Sequence, residues 1–160
     1  MAQASKSAQA SNNLELVIDR VFNAPREVVW KAWTDPEQMK QWSAPRGFTI
    51  PVSEGELRPG GAWRATMRKP DGEELRLGGE YREIVEPERL VFTHAWYDEN
   101  GNPGPETLVT VTLTERDGKT AMNFRQAGFS SGDSRDGHAG GWTECFELLD
   151  ELLSAGVPVR

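Results

Sequence analysis

The sequence is poor in cysteine, in basic residues and in long apolar runs, and each shortage removes a class of function. Its single cysteine, Cys145, cannot close an intrachain disulfide, so nothing points to an oxidising compartment. No apolar run approaches the roughly 18 residues that a membrane-spanning helix needs, and no membrane insertion is expected. Asn-x-Ser/Thr sequons are missing throughout. The 18 Lys and Arg are outnumbered by 25 Asp and Glu, a formal charge of −7. Nucleic acids and anionic membranes require a cationic footprint, so neither is an expected partner; the acidic surface serves solubility. Residues 1–13 are mostly Ala, Ser, Gln and Asn and lack the apolar stretch of a secretory signal. They read as a disordered polar tail on a cytoplasmic protein, with a second tail over residues 155–160.

What the sequence does have is tryptophan. Six of them, at positions 30, 33, 42, 63, 96 and 142, are spread over nearly every element of a 160-residue chain long enough for one core. Each ring can bury on the order of 200 Å². Such rigid plates make a core and also make good cavity walls.

Periodicity divides the chain into elements. Leu14, Leu16 and Ile18 alternate as a first strand. Pro25 then opens a short helix to Trp33, and Pro36 a second to Trp42, with Thr34 or Asp35 as its N-cap. From Gly47 the period changes to two: Phe48–Val52, a strand around Trp63, Ala65 and Met67, then Leu75–Val85, Arg89–Tyr97, Leu108–Leu113 and Thr120–Ala127. Arg64 opposes the Trp63/Met67 phase and should face outward. After a polar loop over residues 128–134, a long amphipathic helix spans roughly Arg135 to Ser154, with Ala139, Trp142, Phe146, Leu149 and Leu153 on one stripe. Two glycines inside a helix cost roughly 2 kcal/mol. The regular helix is therefore expected near Trp142, with Gly140 and Gly141 in its first turn; alternatively, their missing side chains let the sheet or a ligand approach. Short links between strands favour an antiparallel meander. The fold class is α+β: one domain over residues 14–154, about seven curved antiparallel strands around a long C-terminal helix.

Three local patterns suggest chemistry and fail on inspection. Gly128-Phe129-Ser130-Ser131-Gly132 fits G-x-S-x-G, but a nucleophile elbow needs a parallel sheet and a direct strand-to-helix turn. Asp98-x-Asn100-x-Asn102 begins like a calcium loop, yet Pro103 stands where glycine is needed and Val109 where a bidentate glutamate is needed. His138 and Cys145 are seven residues apart on one helix, about 10 Å, too far to share a metal. No catalytic residue and no metal ligand is assigned.

The residues Ala24-Pro25-Arg26-Glu27-Val28-Val29-Trp30-Lys31-Ala32-Trp33-Thr34-Asp35-Pro36-Glu37, followed by Trp42, resemble the opening of the activator-of-heat-shock-ATPase-homologue-like family. Arg58-Pro59-Gly60-Gly61 with Trp63, and Gly79 through Thr93, look like its sheet signature; His138, Gly141-Trp142 and Leu149 look like its closing helix. The resemblance covers Leu14 to Leu153. It implies the helix-grip fold of the superfamily of steroidogenic-regulatory lipid-transfer domains, polyketide cyclases and birch-pollen-type allergens, with a cavity for apolar or amphiphilic molecules and no cofactor. That superfamily holds carriers, enzymes and binding modules on one scaffold. The co-chaperone that names the family has a further N-terminal client-contacting domain. Only thirteen low-complexity residues precede the first strand here, so a chaperone partner is not expected.

The expected site is the space between sheet and closing helix, holding an apolar or aromatic, lipid- or polyketide-like molecule. Trp33, Trp63, Trp96, Phe124, Trp142, Phe146 and Leu149 would supply apolar contact, while Tyr81, His94 and Gln126 would orient the ligand. A histidine on such a face is more often bonded into the core. The alternatives are a cyclase- or hydrolase-type enzyme using His94 or Tyr81 as acid or base, and an interaction module stimulating a chaperone ATPase. A homodimer is left open.

Overall fold

A computed structural model describes residues 14–155; the two expected tails, Ala155 apart, lie outside them. Seven strands form one antiparallel sheet: β1 (Glu15–Phe22), β2 (Thr49–Gly55), β3 (Ala62–Arg68), β4 (Glu74–Val85), β5 (Arg89–Tyr97), β6 (Thr107–Arg116) and β7 (Lys119–Ala127). The spatial order is β1-β7-β6-β5-β4-β3-β2. Strands β2 to β7 run as a meander, and β1 closes against β7 with Glu15 opposite Ala127. Helices α1 (Arg26–Thr34) and α2 (Pro36–Met39) carry the chain from one edge of the sheet to the other, and α3 (Gly132–Ser154) ends the fold. The element order and the α+β helix-grip architecture are those read from the sequence.

The boundaries moved where side chains competed with periodicity. Pro25 is the N-cap of α1 rather than its first turn. Asp35 caps α2 through its carboxylate, which accepts from Glu37 N–H at 3.0 Å. That helix stops at Met39, short of Trp42. Gln41 and Trp42 bond back to Gln38 and Met39 in tighter turns, and the Trp42 indole donates to Ala32 C=O at 3.0 Å.

The largest correction concerns α3. It starts at Gly132, with Ser131 as N-cap, and runs unbroken through Gly137, Gly140 and Gly141. Ser131 Oγ accepts from Ser134 N–H at 3.0 Å, which fixes the helix start before the glycines are reached. The glycines therefore lie in its interior, not in its first turn. Nor do they admit the sheet: a Cβ on Gly140 would meet nothing within 4 Å, and one on Gly141 only Pro45 Cγ at 3.9 Å.

Close approach is instead required in β4. A Cβ on Gly79 would fall 1.9 Å from Thr93 C=O, so no side chain fits there. Gly79 faces Trp63 across the β3–β4 pair. The Trp63 indole reaches past it to donate to Thr93 C=O at 3.0 Å on β5. The core lies under α1 and the C-terminal half of α3, where Phe22, Val29, Trp33, Trp42, Val109, Phe124, Phe146 and Leu149 are all fully or almost fully buried.

Candidate functional site

Strand alternation dictates which side chains reach the concave face. On β5, Leu90, Phe92, His94 and Trp96 point to one side; on β3, Trp63, Ala65 and Met67 do the same; β4 adds Leu75, Leu77 and Tyr81. The N-terminal half of α3 stands opposite with Ser134, Gly137, His138, Gly141, Trp142 and Cys145, at helical spacing on one face. Between them lies a half-open cavity of about 400 Å³, mainly apolar, lined also by Trp33, Pro36 and Met39. That volume falls in the range of about 300–1,000 Å³ typical of small-molecule sites.

The indole N–H groups mostly brace the wall. Trp96 donates to His138 Nε2 at 2.9 Å, and His138 Nδ1 lies 2.7 Å from Ser134 C=O. Indole N–H can only donate, so Nε2 accepts and the ring proton sits on Nδ1, given to Ser134. Trp142 donates to Gln126 Oε1 at 2.8 Å, and Gln126 Nε2 to Thr107 Oγ1 at 2.9 Å. Thr107 Oγ1 in turn donates to the His94 carbonyl at 3.1 Å. This chain ties helix to sheet behind the cavity.

Three polar groups on the wall, on Tyr81, His94 and Trp33, are left over. The Tyr81 hydroxyl bonds to no other group among the described residues, and the His94 ring bonds only to its own backbone. His94 is ringed by Trp63, Trp96, His138 and Trp142, with centroids 5.6–6.3 Å away. Burial, and secondarily His138, push its pKa down to about 3, so the ring is neutral near pH 7. Burial likewise raises the Tyr81 hydroxyl above its ordinary value. The Trp33 indole N–H is also buried without a partner among the described residues.

Of the residues anticipated from sequence, Trp33, Trp63, Tyr81, His94, Trp96 and Trp142 come together around the cavity. Phe124, Gln126, Phe146 and Leu149 do not line it. Each is 0% exposed: Phe124 and Phe146 pack against Trp33 of α1, and Gln126 is bonded between Trp142 and Thr107. Gln126 cannot orient a ligand with either end of its amide, since both are engaged by Trp142 and Thr107. Sequence reasoning passed over Ala65, Met67, Leu75 and Leu77, although their alternation in phase with Trp63 and Tyr81 carried the signal. It also passed over His138 as a wall residue, which no local pattern ties to Trp96. Arg64 faces outward as anticipated, paired with Glu54 at 2.8 Å.

The discarded motifs have structural roles. Ser131 of the G-x-S-x-G match is a helix cap, Phe129 is buried in the core, and Ser130 is exposed. The Asp98 carboxylate accepts from Asn100 and Asn102 N–H, each at 2.9 Å, and so shapes its own loop. Burial pushes the Cys145 thiol up to about 12, which makes it a poor nucleophile. Among the described residues no group of three or more His, Cys, Asp or Glu could hold a metal ion, and no helix is long and apolar enough to cross a membrane.

Comparison with known proteins places this geometry. A family model described as Activator of Hsp90 ATPase homolog 1-like protein matches residues 23–154. A search of curated proteins finds no match. Among solved structures, a protein of Arthrobacter aurescens is similar with a TM-score of 0.81 and 27% identity, covering 94% of this chain and 91% of its own. A protein of Chromobacterium violaceum reaches a TM-score of 0.80 at 27% identity, over 87% of this chain and 96% of its own. The AHSA1 protein from Silicibacter pomeroyi, at 23% identity and TM-score 0.80 over 88% and 98%, shares the fold.

Proposed function

The chain belongs to the Activator of Hsp90 ATPase homolog 1-like family, and from that premise we propose that it binds an apolar or aromatic, lipid- or polyketide-like small molecule between sheet and α3, without a cofactor. The observation that carries this reading is an apolar cavity of about 400 Å³ whose wall keeps hydrogen-bonding capacity unused, in the buried Trp33 indole N–H, the Tyr81 hydroxyl and the His94 ring. A dry core would be packed to a density that leaves few voids larger than a water molecule. Here the aromatic residues stop at the wall instead of filling the space. Groups such as the Tyr81 hydroxyl and the His94 ring lose hydrogen bonding when buried unpaired, and a bound molecule would restore it. His94, neutral near pH 7, is suited to fixing orientation rather than to donating a proton as a general acid.

The test is native mass spectrometry of the purified protein, backed by tryptophan fluorescence titrated with lipids and polyketides. A retained small molecule, or saturable quenching with a rise in Tm, is the expected result. If no molecule is retained and no panel member changes fluorescence or Tm, the cavity is not a binding site.

A further inference from the structure

The cavity lining carries few formal charges. Among the described residues that line it there is no lysine and no arginine; the two with a formal charge, Glu54 and Asp133, are both acidic. Several basic side chains next in sequence to lining residues are held by acidic partners, Lys40 by Glu37 at 3.2 Å, Arg64 by Glu54 at 2.8 Å, Arg68 by Glu74 at 2.6 Å and Arg46 by Glu151. Arg76 alternates to the exposed face of β4 between the lining Leu75 and Leu77. The start of α3 would otherwise be a natural anion site, since amides and dipole converge at a helix N-terminus. Here Ser131 caps it, and Asp133 puts a carboxylate into its first turn. The buried groups left for a ligand are neutral: a phenol on Tyr81, an imidazole on His94 and the Trp33 indole N–H, which can only donate.

We propose that the cavity selects an uncharged ligand, an aromatic or polycyclic body bearing a hydroxyl or carbonyl, and excludes the corresponding carboxylates and phosphates. This deepens the binding function proposed above and rests on it. A carboxylate entering the cavity would lose its water against apolar walls and meet no lysine or arginine among the lining residues; Asp133 is acidic, and Glu54 already holds the nearby Arg64. A hydroxyl in the same place would satisfy Tyr81 or His94 instead.

Three molecules of one shape separate the terms: 2-methylnaphthalene, 2-naphthalenemethanol and 2-naphthoate, titrated calorimetrically into the full chain near pH 7. The alcohol should bind most tightly, and the carboxylate more weakly by about tenfold or more. In Tyr81→Phe, which keeps the ring and its packing, or in His94→Leu, the alcohol's advantage over the hydrocarbon should shrink about three- to tenfold. Circular dichroism confirms that each variant is folded. Carboxylate binding as tight as the alcohol's would overturn charge selection while leaving the cavity as a binding site. An advantage of the alcohol unchanged in both variants would overturn the roles of Tyr81 and His94. Heat from none of the three would remove the binding function itself, and charge selection with it.

Discussion

The two halves of α3 belong to one unbroken helix, yet one packs a core and the other lines the cavity. Read in steps of four, one ladder along the helix is Gly137, Gly141, Cys145, Leu149 and Leu153. Side chains grow along it from nothing, through a thiol, to leucines buried at 0% and 5% exposure. The neighbouring ladder runs from Ser134 and His138 to the aromatic pair Trp142 and Phe146. The C-terminal half meets Trp33, Trp42 and Phe124 at ring distances of 5.2–6.2 Å around Phe146. The N-terminal half meets the cavity. The space is thus made by what the helix leaves out, and the helix pays for it in propensity.

This contrast can be broken most strongly at Phe146. Phe146→Ala in the packed half should cost about 3–5 kcal/mol, read from chemical denaturation, because the surrounding aromatics cannot collapse into the hole. A loss below about 1 kcal/mol would mean that both halves are loosely packed.

The next effect is in the cavity half and depends on pH. The folded pKa of His94 lies near 3, below the 6.5 of an exposed histidine. As pH falls below about 6.5 the unfolded chain takes up a proton that the folded chain refuses, so stability drops. The slope reaches about 1.4 kcal/mol per pH unit, or about 2 kcal/mol at pH 5, and ends near pH 3. His94→Gln should flatten that part of the stability–pH curve; an unaltered slope would assign the acid sensitivity elsewhere.

Gly141→Leu makes the cavity half imitate the packed half. A leucine there would project into the cavity, so ligand affinity should fall about tenfold while the fold survives, since a Cβ at this position meets only ordinary contact with Pro45. Unchanged affinity would place the ligand away from α3. The smallest effect is a gain: Gly140→Ala, with open space around the new methyl, should stabilise the chain by about 0.5–1 kcal/mol through helix propensity alone. Any loss there would reveal a need for flexibility in this half.

How much of this was legible in the sequence can be judged residue by residue. Leu90, Phe92, His94 and Trp96 alternate along β5, and all four do line the cavity. Trp63, Ala65 and Met67 announce the same face through the same period. Phe124, Phe146 and Leu149 were indistinguishable from them, because an apolar residue on an inner face looks alike whether it meets a neighbour or a void. Gln126 looked like a polar group for a ligand, but its partners, Trp142 and Thr107, are distant in sequence and set by tertiary contact. The start of α3 was missed because glycine propensity was weighed above a serine cap three residues before Ser134.

The sequence by itself determined the order of elements, the antiparallel meander, the inward phase of each strand and the family to which the chain belongs. The first three follow from local periodicity and turn chemistry, which are written in neighbouring residues, and the family follows from the resemblance of its motifs. Only the tertiary structure decided where the core ends and the cavity begins. It also decided which tryptophan N–H groups are spent on the wall and that His94 and Tyr81 are left over. Those outcomes depend on how α3 lies across the sheet, and a void of about 400 Å³ arises from distances between elements that no single stretch of chain encodes.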